Sequence, residues 1–329
     1  LIKRSRSNQK KQVKFMSNPK IVLWGTPSLA VAIAETLLTW TEITAIITTP
    51  DTPQGRKKIL TPSPLKAFAQ KNNIQVFNPT KLNTPETIEL LNKLKSDIWL
   101  VIAYGKIIPQ PILDIMPNKV LNIHPSRLPQ YRGPSPIQAS LSNGDKQTAV
   151  SLMQLDHLMD HGPIIAQEDI SISPTDTYIE LEQKIIYTSA KILSESLTKF
   201  IAGQIIPQPQ DDIQASLVSI IQKQDGQINW EQHNAQDIVN LYRAYIIWPQ
   251  IYTYLNNGKK VIFEQIELSP NNMNTKLKAG YWQYDNTQNK IIDGTNNSNI
   301  AINKLKIEGK NSIDAKSFAN GYKDTYFVS

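Results

Sequence analysis

Short, almost unbroken runs of apolar and β-branched residues recur between longer helical stretches, and this alternation limits the possible folds more than any other feature. Ile21-Val22-Leu23-Trp24, Ile43 to Thr48, Ile98 to Ala103, Val120 to His124 and Ala149 to Leu155 read as strands. A strand with one wet face alternates apolar and polar residues. Runs this continuous are buried on both faces, as in a parallel sheet covered by helices. Ser28, after Gly25-Thr26-Pro27, is expected to cap a helix reaching about Trp40, and a long helix is expected from about Asp176 to Phe200, closed by Gly203. The fold class is therefore α/β. The Gly25 turn lacks G-x-G-x-x-G and a P-loop lysine, so it gives little support to dinucleotide or ATP binding.

The pattern changes after Gly203. Pro207-Gln208-Pro209-Gln210 is polar and proline-bearing and reads as a linker. A helix follows at about Asn234 to Tyr245. Short strands then alternate with the turn signals Asn256-Asn257-Gly258, Asp293-Gly294 and Glu308-Gly309, which points to a small, largely antiparallel barrel or sandwich.

Composition removes several classes. The 329-residue chain is 40% apolar and 19% charged, as folded chains are, and contains no cysteine. Disulfide scaffolds, thiolate metal sites and cysteine nucleophiles are thereby excluded. No apolar run reaches the ~20 residues of a membrane-spanning helix, so no membrane partner is expected. The net charge of +7 is local: Lys3, Arg4, Arg6, Lys10, Lys11 and Lys14, with no acid, lie in residues 1–16. The rest is nearly neutral, and residues 209–329 balance acids against bases. Bulk charge therefore does not argue for nucleic acid, and such a partner must rest on local patches. The basic stretch reads as sequence upstream of a start at Met16, as a disordered arm, or as an organelle-targeting segment.

Among four histidines, His124 stands at the end of a buried strand. Asn122 and His124 are two apart, so both point to one face of the sheet at the edge where α/β folds place ligand crevices. The polar loop 126–136 follows, with prolines at 129, 134 and 136. After the next strand comes Asp156-His157-Leu158-Met159-Asp160-His161-Gly162-Pro163. Adjacent strands would bring Asp160 to His124, where a carboxylate can orient the imidazole. His157 and His161 have the spacing of a helical metal pair but sit in a loop, which argues against a metal. Asn, His and Asp suffice for acyl transfer to an amine without a covalent nucleophile: amide and imidazole donors for the oxyanion, a carboxylate as orienter and base. No G-x-S-x-G elbow is present.

Asn122-Ile123-His124-Pro125-Ser126, Leu128-Pro129, Tyr131-Arg132-Gly133 and Asp160-His161-Gly162 resemble the folate-dependent formyltransferases. The resemblance implies a Rossmann-like, mostly parallel sheet of the formyltransferase fold in residues 17–203, a linker at 204–222 and a smaller OB-like β-barrel at 223–329. It implies Asn122, His124 and Asp160 as catalytic residues and 10-formyltetrahydrofolate as co-substrate, with no metal. Ser126, Arg127, Leu128 and Pro129 match the family's folate-loop segment, with Arg127 where leucine is usual. Two more segments resemble the branch acting on initiator methionyl-tRNA. One is the basic loop from Thr49 to Lys58 with Thr61-Pro62-Ser63-Pro64, in which Arg56, Lys57 and Lys58 would contact tRNA. The other is Tyr242-Arg243-Ala244-Tyr245 with Trp248-Pro249, at the start of a tRNA-binding domain. Lys259, Lys260, Lys304 and Lys306 would assist there. A cytoplasmic monomer is expected, or an organellar one if the basic stretch is a targeting segment. The rivals are a formyltransferase for a small amine, which needs neither segment, and a non-catalytic RNA-binding protein.

Overall fold

A computed structural model describes residues 18–55, 57–269, 277–296 and 298–329. In chain order the first part comprises β1 (Lys20–Gly25), α1 (Ser28–Leu37), β2 (Glu42–Ile47), β3 (Thr52–Gln54), β4 (Ile59–Thr61), α2 (Pro64–Lys71), β5 (Val76–Phe77), α3 (Pro85–Asn92), β6 (Ile98–Ile102), α4 (Gln110–Leu113), β7 (Val120–His124), α5 (Pro136–Ser142), β8 (Gln147–Gln154), β9 (Ile164–Ser171) and α6 (Tyr178–Ile201). Its sheet has the order β5-β2-β1-β6-β7-β8-β9.

The central strands are parallel and buried on both sides. Along β1, Ile21 and Leu23 enter a large core with α1, α2, α5 and α6, while Val22 and Trp24 enter a smaller one with Trp99, Val101, Tyr104, Ile108 and Ile112. Continuous apolar runs follow directly from that double burial. The strand read at Ala149 to Leu155 departs from the parallel expectation. It is β8, and it runs antiparallel to β7, as does β9 to β8. The chain comes back beside β7 through residues 125–146 without crossing over to a parallel position, and a β8–β9 hairpin ends the sheet. Ser28 is also not a cap. Pro27 holds that position in extended conformation without a side-chain bond, its carbonyl receiving the amide of Ala30, and α1 stops at Leu37. By contrast Thr177 and Glu180 close a reciprocal capping box at α6, and Gly203 beyond it has φ +70°.

The second part holds α7 (Ala235–Tyr245), β10 (Tyr252–Leu255), β11 (Lys260–Leu268), β12 (Trp282–Asp285), β13 (Lys290–Gly294), β14 (Asn299–Ile307), β15 (Ser312–Asp314), α8 (Ala315–Gly321) and β16 (Phe327–Val328). Its sheet is antiparallel in the order β12-β13-β14-β11-β10-β16, with β15 on β14. Register shifts in β11 mark the bends that curl it. The curl brings the two ends together, because the Phe327 amide in β16 donates to the Gly280 carbonyl just before β12, at 2.8 Å. The result is a half-barrel of the OB-like kind, filled by Trp230, Phe263, Phe318 and Phe327.

The halves are tied at α7. Arg243 is buried and spends its guanidinium on the carbonyls of Asp176 (2.6 Å) and Ser173 (2.9 Å), in the loop between β9 and α6. Residues 204–222 connect the halves in the chain but do not hang free. Ile164 and Gln208 exchange backbone bonds at 2.8 Å, and Val218 donates to the Arg132 carbonyl at 2.8 Å.

One core group works against stability. Asp293 in β13 is fully buried, and neither carboxyl oxygen makes a hydrogen bond of ordinary geometry among the described residues, the neighbouring Gly294 amide offsetting the burial only in part. Burial holds its pKa well above the ordinary carboxylate value. An acid that binds its proton more tightly when folded weakens the fold once pH passes its unfolded value of about 4, until the folded value is reached. Asp293→Asn should therefore raise stability near pH 8 by about 1–3 kcal/mol, with the gain shrinking toward pH 4. Urea titrations of both proteins across that range would show it, and a gain independent of pH would contradict the burial argument.

Candidate active site

Asn122 and His124 alternate with Leu121 and Ile123, so they share the face of β7 that Val120 turns toward the smaller core. Both are buried, at 9% and 4% exposure. β6 lies beside them, with Val101 opposite Asn122. The loop 155–163 between β8 and β9 completes the cluster by an unexpected route. Since β8 runs antiparallel, that loop starts at the amino end of β7, where the Leu155 amide donates to the Val120 carbonyl at 2.8 Å. It then folds back along the face carrying Asn122 and His124. The expectation that Asp160 approaches His124 therefore holds, but a returning loop brings it there, not neighbouring strand ends.

The Asp160 carboxylate has three neighbours. The Gly133 amide donates to Oδ2 at 2.8 Å, Asn122 Nδ2 donates to Oδ1 at 3.3 Å, and His124 Nδ1 lies 3.5 Å from Oδ2. His124 Nε2 lies 2.9 Å from the Tyr131 carbonyl. A carbonyl only accepts, so Nε2 carries the hydrogen and Nδ1 is the nitrogen turned to the carboxylate. The contacts with Asn122 and His124 are long, and one Asn122 N–H is uncommitted in the hydrogen bonds described. An amide donor so placed can tighten onto a reacting oxygen, and so can Nδ1 when the ring carries a proton on both nitrogens. Asp160 has φ +49° and Tyr131 φ +59°, left-handed conformations that cost energy outside glycine.

The loop matched to folate binding is tied into the fold by its own hydrogen bonds. Ser126 is fully buried and its hydroxyl donates to the Gln130 carbonyl at 2.6 Å. Leu128 is buried, its carbonyl takes a bond from Gln167 Nε2 (3.0 Å), and its amide donates to Ser151 Oγ (3.3 Å). Arg127, partly exposed, pairs with Asp169, and Pro129 is half-buried. These ties fix the loop so that Tyr131 meets His124 and Gly133 meets Asp160. Behind it lies an open cleft of about 620 Å³ lined by Arg127, Gln130, Tyr131 and Lys146, among others.

β3 and β4 form a separate hairpin beyond the carboxyl end of β2. Its base is held by Lys66 on Asp51 at 2.8 Å. Lys57 and Lys58 are exposed at its tip, while Arg56 lies outside the described residues. In the half-barrel, Lys304 and Lys306 alternate outward along β14, and Lys260 lies over the Tyr252 ring at 3.3 Å. The local sequence held no signal for Gln210, although its Nε2 donates to the carbonyls of Asp160 (2.9 Å) and Gly162 (2.8 Å). His157 is exposed. His161 is hydrogen-bonded by Nδ1 to Asp156 at 2.6 Å, and its Nε2 lies 3.4 Å from Asp212.

Two family models cover most of the chain: formyl transferase over residues 20–197 and the formyl transferase C-terminal domain over residues 220–323. The methionyl-tRNA formyltransferase of Caldicellulosiruptor saccharolyticus is 37% identical over 315 residues, covering 92% of this chain and 97% of that protein. That of Staphylococcus aureus is 32% identical over 307 residues, covering 93% and 97%. Among solved structures, the sugar 3N-formyl transferase WlaRD, in the presence of dTDP and 5-N-formyl-THF, has a TM-score of 0.65 at 22% identity, over 89% of this chain and 99% of that one. HypX from Aquifex aeolicus, in complex with tetrahydrofolic acid, has a TM-score of 0.61 at 15% identity, over 94% and 48%. These two likenesses concern the fold. The chain belongs to the formyl transferase family.

The hydrogen bond to Asp156 raises the His161 pKa, aided by the charges of Asp156 and Asp212 against burial and Arg132. A histidine that binds its proton more tightly when folded adds stability that is complete below the unfolded value of about 6.5 and fades as pH rises through the folded one. His161→Gln should therefore lower the melting temperature more at pH 6 than at pH 9. Equal losses at both would show that His161 acts without its charge.

Proposed function

We propose that the protein transfers the formyl group of 10-formyltetrahydrofolate to the α-amino group of methionine on initiator tRNA, as a cytoplasmic monomer serving translation initiation. The observation that carries the reaction type is the meeting of Asn122, His124 and Asp160 on one face of β7. The acceptor is supported by the shared name of relatives aligned over nearly the whole chain. A folate donor is supported by the folates in the WlaRD and HypX structures. Beside the carboxylate the surface suits a flat, partly apolar ring. Leu158 and Met159, immediately before Asp160, are 49% and 53% exposed, and Tyr104 and Ile108 line the core on the same face. Among the described residues no helix is long and apolar enough to cross a membrane.

The amine nitrogen attacks the formyl carbon, and Asn122 Nδ2 is placed to hold the oxygen as it gains charge, joined by His124 Nδ1 in the imidazolium form, where both ring nitrogens donate. Asp160 keeps the imidazole oriented and takes the proton released as the amine becomes an amide, directly or through water. As the intermediate collapses, the bond from carbon to the donor nitrogen breaks and the proton passes to that nitrogen. No covalent enzyme intermediate and no metal is required. In this scheme Ser126, Arg127, Leu128 and Pro129 wall the donor site, chiefly through the exposed parts of Arg127 and Pro129. Arg56, Lys57 and Lys58 meet the tRNA backbone, with Lys259, Lys260, Lys304 and Lys306 as a second patch.

The assay is formylation of charged initiator tRNA, with sugar amines and glycinamide ribonucleotide as competing acceptors. Methionyl-tRNA should be preferred by orders of magnitude in kcat/KM; preference for a small amine would replace the acceptor, and no turnover would end the enzymatic reading. His124→Ala and Asp160→Asn should each lower kcat by about 10²–10⁴-fold with little change in melting temperature. Replacing Lys57 and Lys58 by alanine should instead raise KM for tRNA and flatten its salt dependence. Unchanged tRNA kinetics in that variant would remove the hairpin from the interface.

A further inference from the structure

We propose that Gln210 is a positioning residue for Asp160, and that Arg132 holds the Gln210 amide in the orientation this needs. The inference rests on the reading of Asp160 as the catalytic carboxylate.

Asp160 must occupy a left-handed backbone conformation to point its carboxylate at Asn122 and His124, and a non-glycine residue there stays put only when its surroundings hold it. The Gly133 amide restrains the carboxylate, and Gln210 restrains the backbone. Both amide hydrogens of Gln210 are spent on the carbonyls of Asp160 and Gly162, on either side of the His161 residue. Its Oε1 receives Nε and Nη2 of Arg132 at 3.0 and 2.9 Å. A flipped amide would set NH₂ against the guanidinium and oxygen against two carbonyls, so Arg132 determines which way it faces.

Arg132 is buried to 7% exposure and has a second anchor, Asp212 Oδ1 at 2.8 Å. Asp212 also lies near His161, so the segment grips the loop at two points. Residues 210–218 thus touch both arms of the site. Gln210 and Asp212 hold the Asp160 loop, while Ser216 and Val218 exchange backbone bonds with Arg132, next to Gly133. Gly133 itself is pressed against this segment, since a Cβ there would lie 2.3 Å from the Val218 carbonyl. A connector of two domains has no need of such contacts. A part that sets the distance between a carboxylate and its two partners does.

The test uses the full-length protein with charged initiator tRNA and the formyl donor. Gln210→Leu removes all four hydrogen bonds at similar size. Gln210→Glu keeps the Arg132 contact but turns an acceptor toward the two carbonyls. Arg132→Lys keeps charge and loses the two-pronged orientation. The Leu and Glu variants should lower kcat by about 10–100-fold, the loss typical of a misplaced reacting group, while KM for tRNA and donor stays within about two-fold. On an Asp160→Asn background, Gln210→Leu should add little further loss, because it acts through a group already removed.

Normal kcat in a folded Gln210→Leu protein, with Asp160→Asn inactive, would overturn the positioning role alone. So would losses that multiply in the double variant. Full turnover by Asp160→Asn would overturn the reading of the carboxylate and this inference with it. If Gln210→Leu does not fold, the Glu and Lys variants decide by the same criteria.

Discussion

The hydrogen bond from the Gly133 amide to the Asp160 carboxylate joins two loops that would otherwise be independent. One leaves the carboxyl end of β7 and the other returns from the β8–β9 hairpin. A carboxylate at 14% side-chain exposure is costly unless donors surround it. Gly133 and Asn122 supply them, with the His124 ring beside Oδ2, and in doing so they define a site. Glycine suits position 133 twice over: its φ is +123°, and the Val218 carbonyl leaves no room for a Cβ. The left-handed turns at Tyr131 and Asp160 belong to the same device, which trades backbone strain for a fixed triangle of polar groups.

Much of this was legible in the sequence where the physics is local. The period of two puts Asn122 and His124 on one face whatever surrounds them. Unbroken apolar runs implied a sheet buried on both faces, and Trp24 and Leu23 do enter different cores. Asn234 marks the start of α7 because a side-chain cap is a neighbourhood event. The illegible parts depend on distant partners. Nothing near Ala149 to Leu155 states that the strand runs antiparallel, and so the path taken by Asp160 could not be drawn. Ser126 and Leu128 match a binding motif, yet Ser151 and Gln167, on strands β8 and β9, occupy their backbone groups. Gln210 sits among prolines and polar residues, the pattern of a linker, and its contacts lie 48 and 50 residues away.

The two sheets divide the problem. The parallel sheet presents the polar pair at its carboxyl edge and the basic hairpin beyond the same end of β2. The half-barrel carries lysines on one outward row of β14 but no net charge across residues 209–329. Arg243 ties the two through carbonyls, not through an ion pair. Backbone carbonyls do not titrate and are hard to lose by substitution, so this joint holds the parts in register across pH and salt. The proposed acceptor, a large polyanion met by weak local patches, would need such a fixed frame, because on that reading its amine has to arrive in reach of the carboxylate each time.

The same reasoning explains why the proposed reaction can manage without a covalent nucleophile. Formyl transfer to an amine moves one proton and develops one oxyanion, and no group in the triangle has to act as a leaving group. In the proposed scheme what the protein must supply is distance: an amide, an imidazole and a carboxylate gathered within reach of one reacting carbon. Those three side chains come from a rigid buried strand and a loop with intrinsic strain. The strand needs no help. The loop does, which is why the additional hydrogen bonds of the molecule gather around Asp160, on its carboxylate from Gly133 and on its backbone from Gln210.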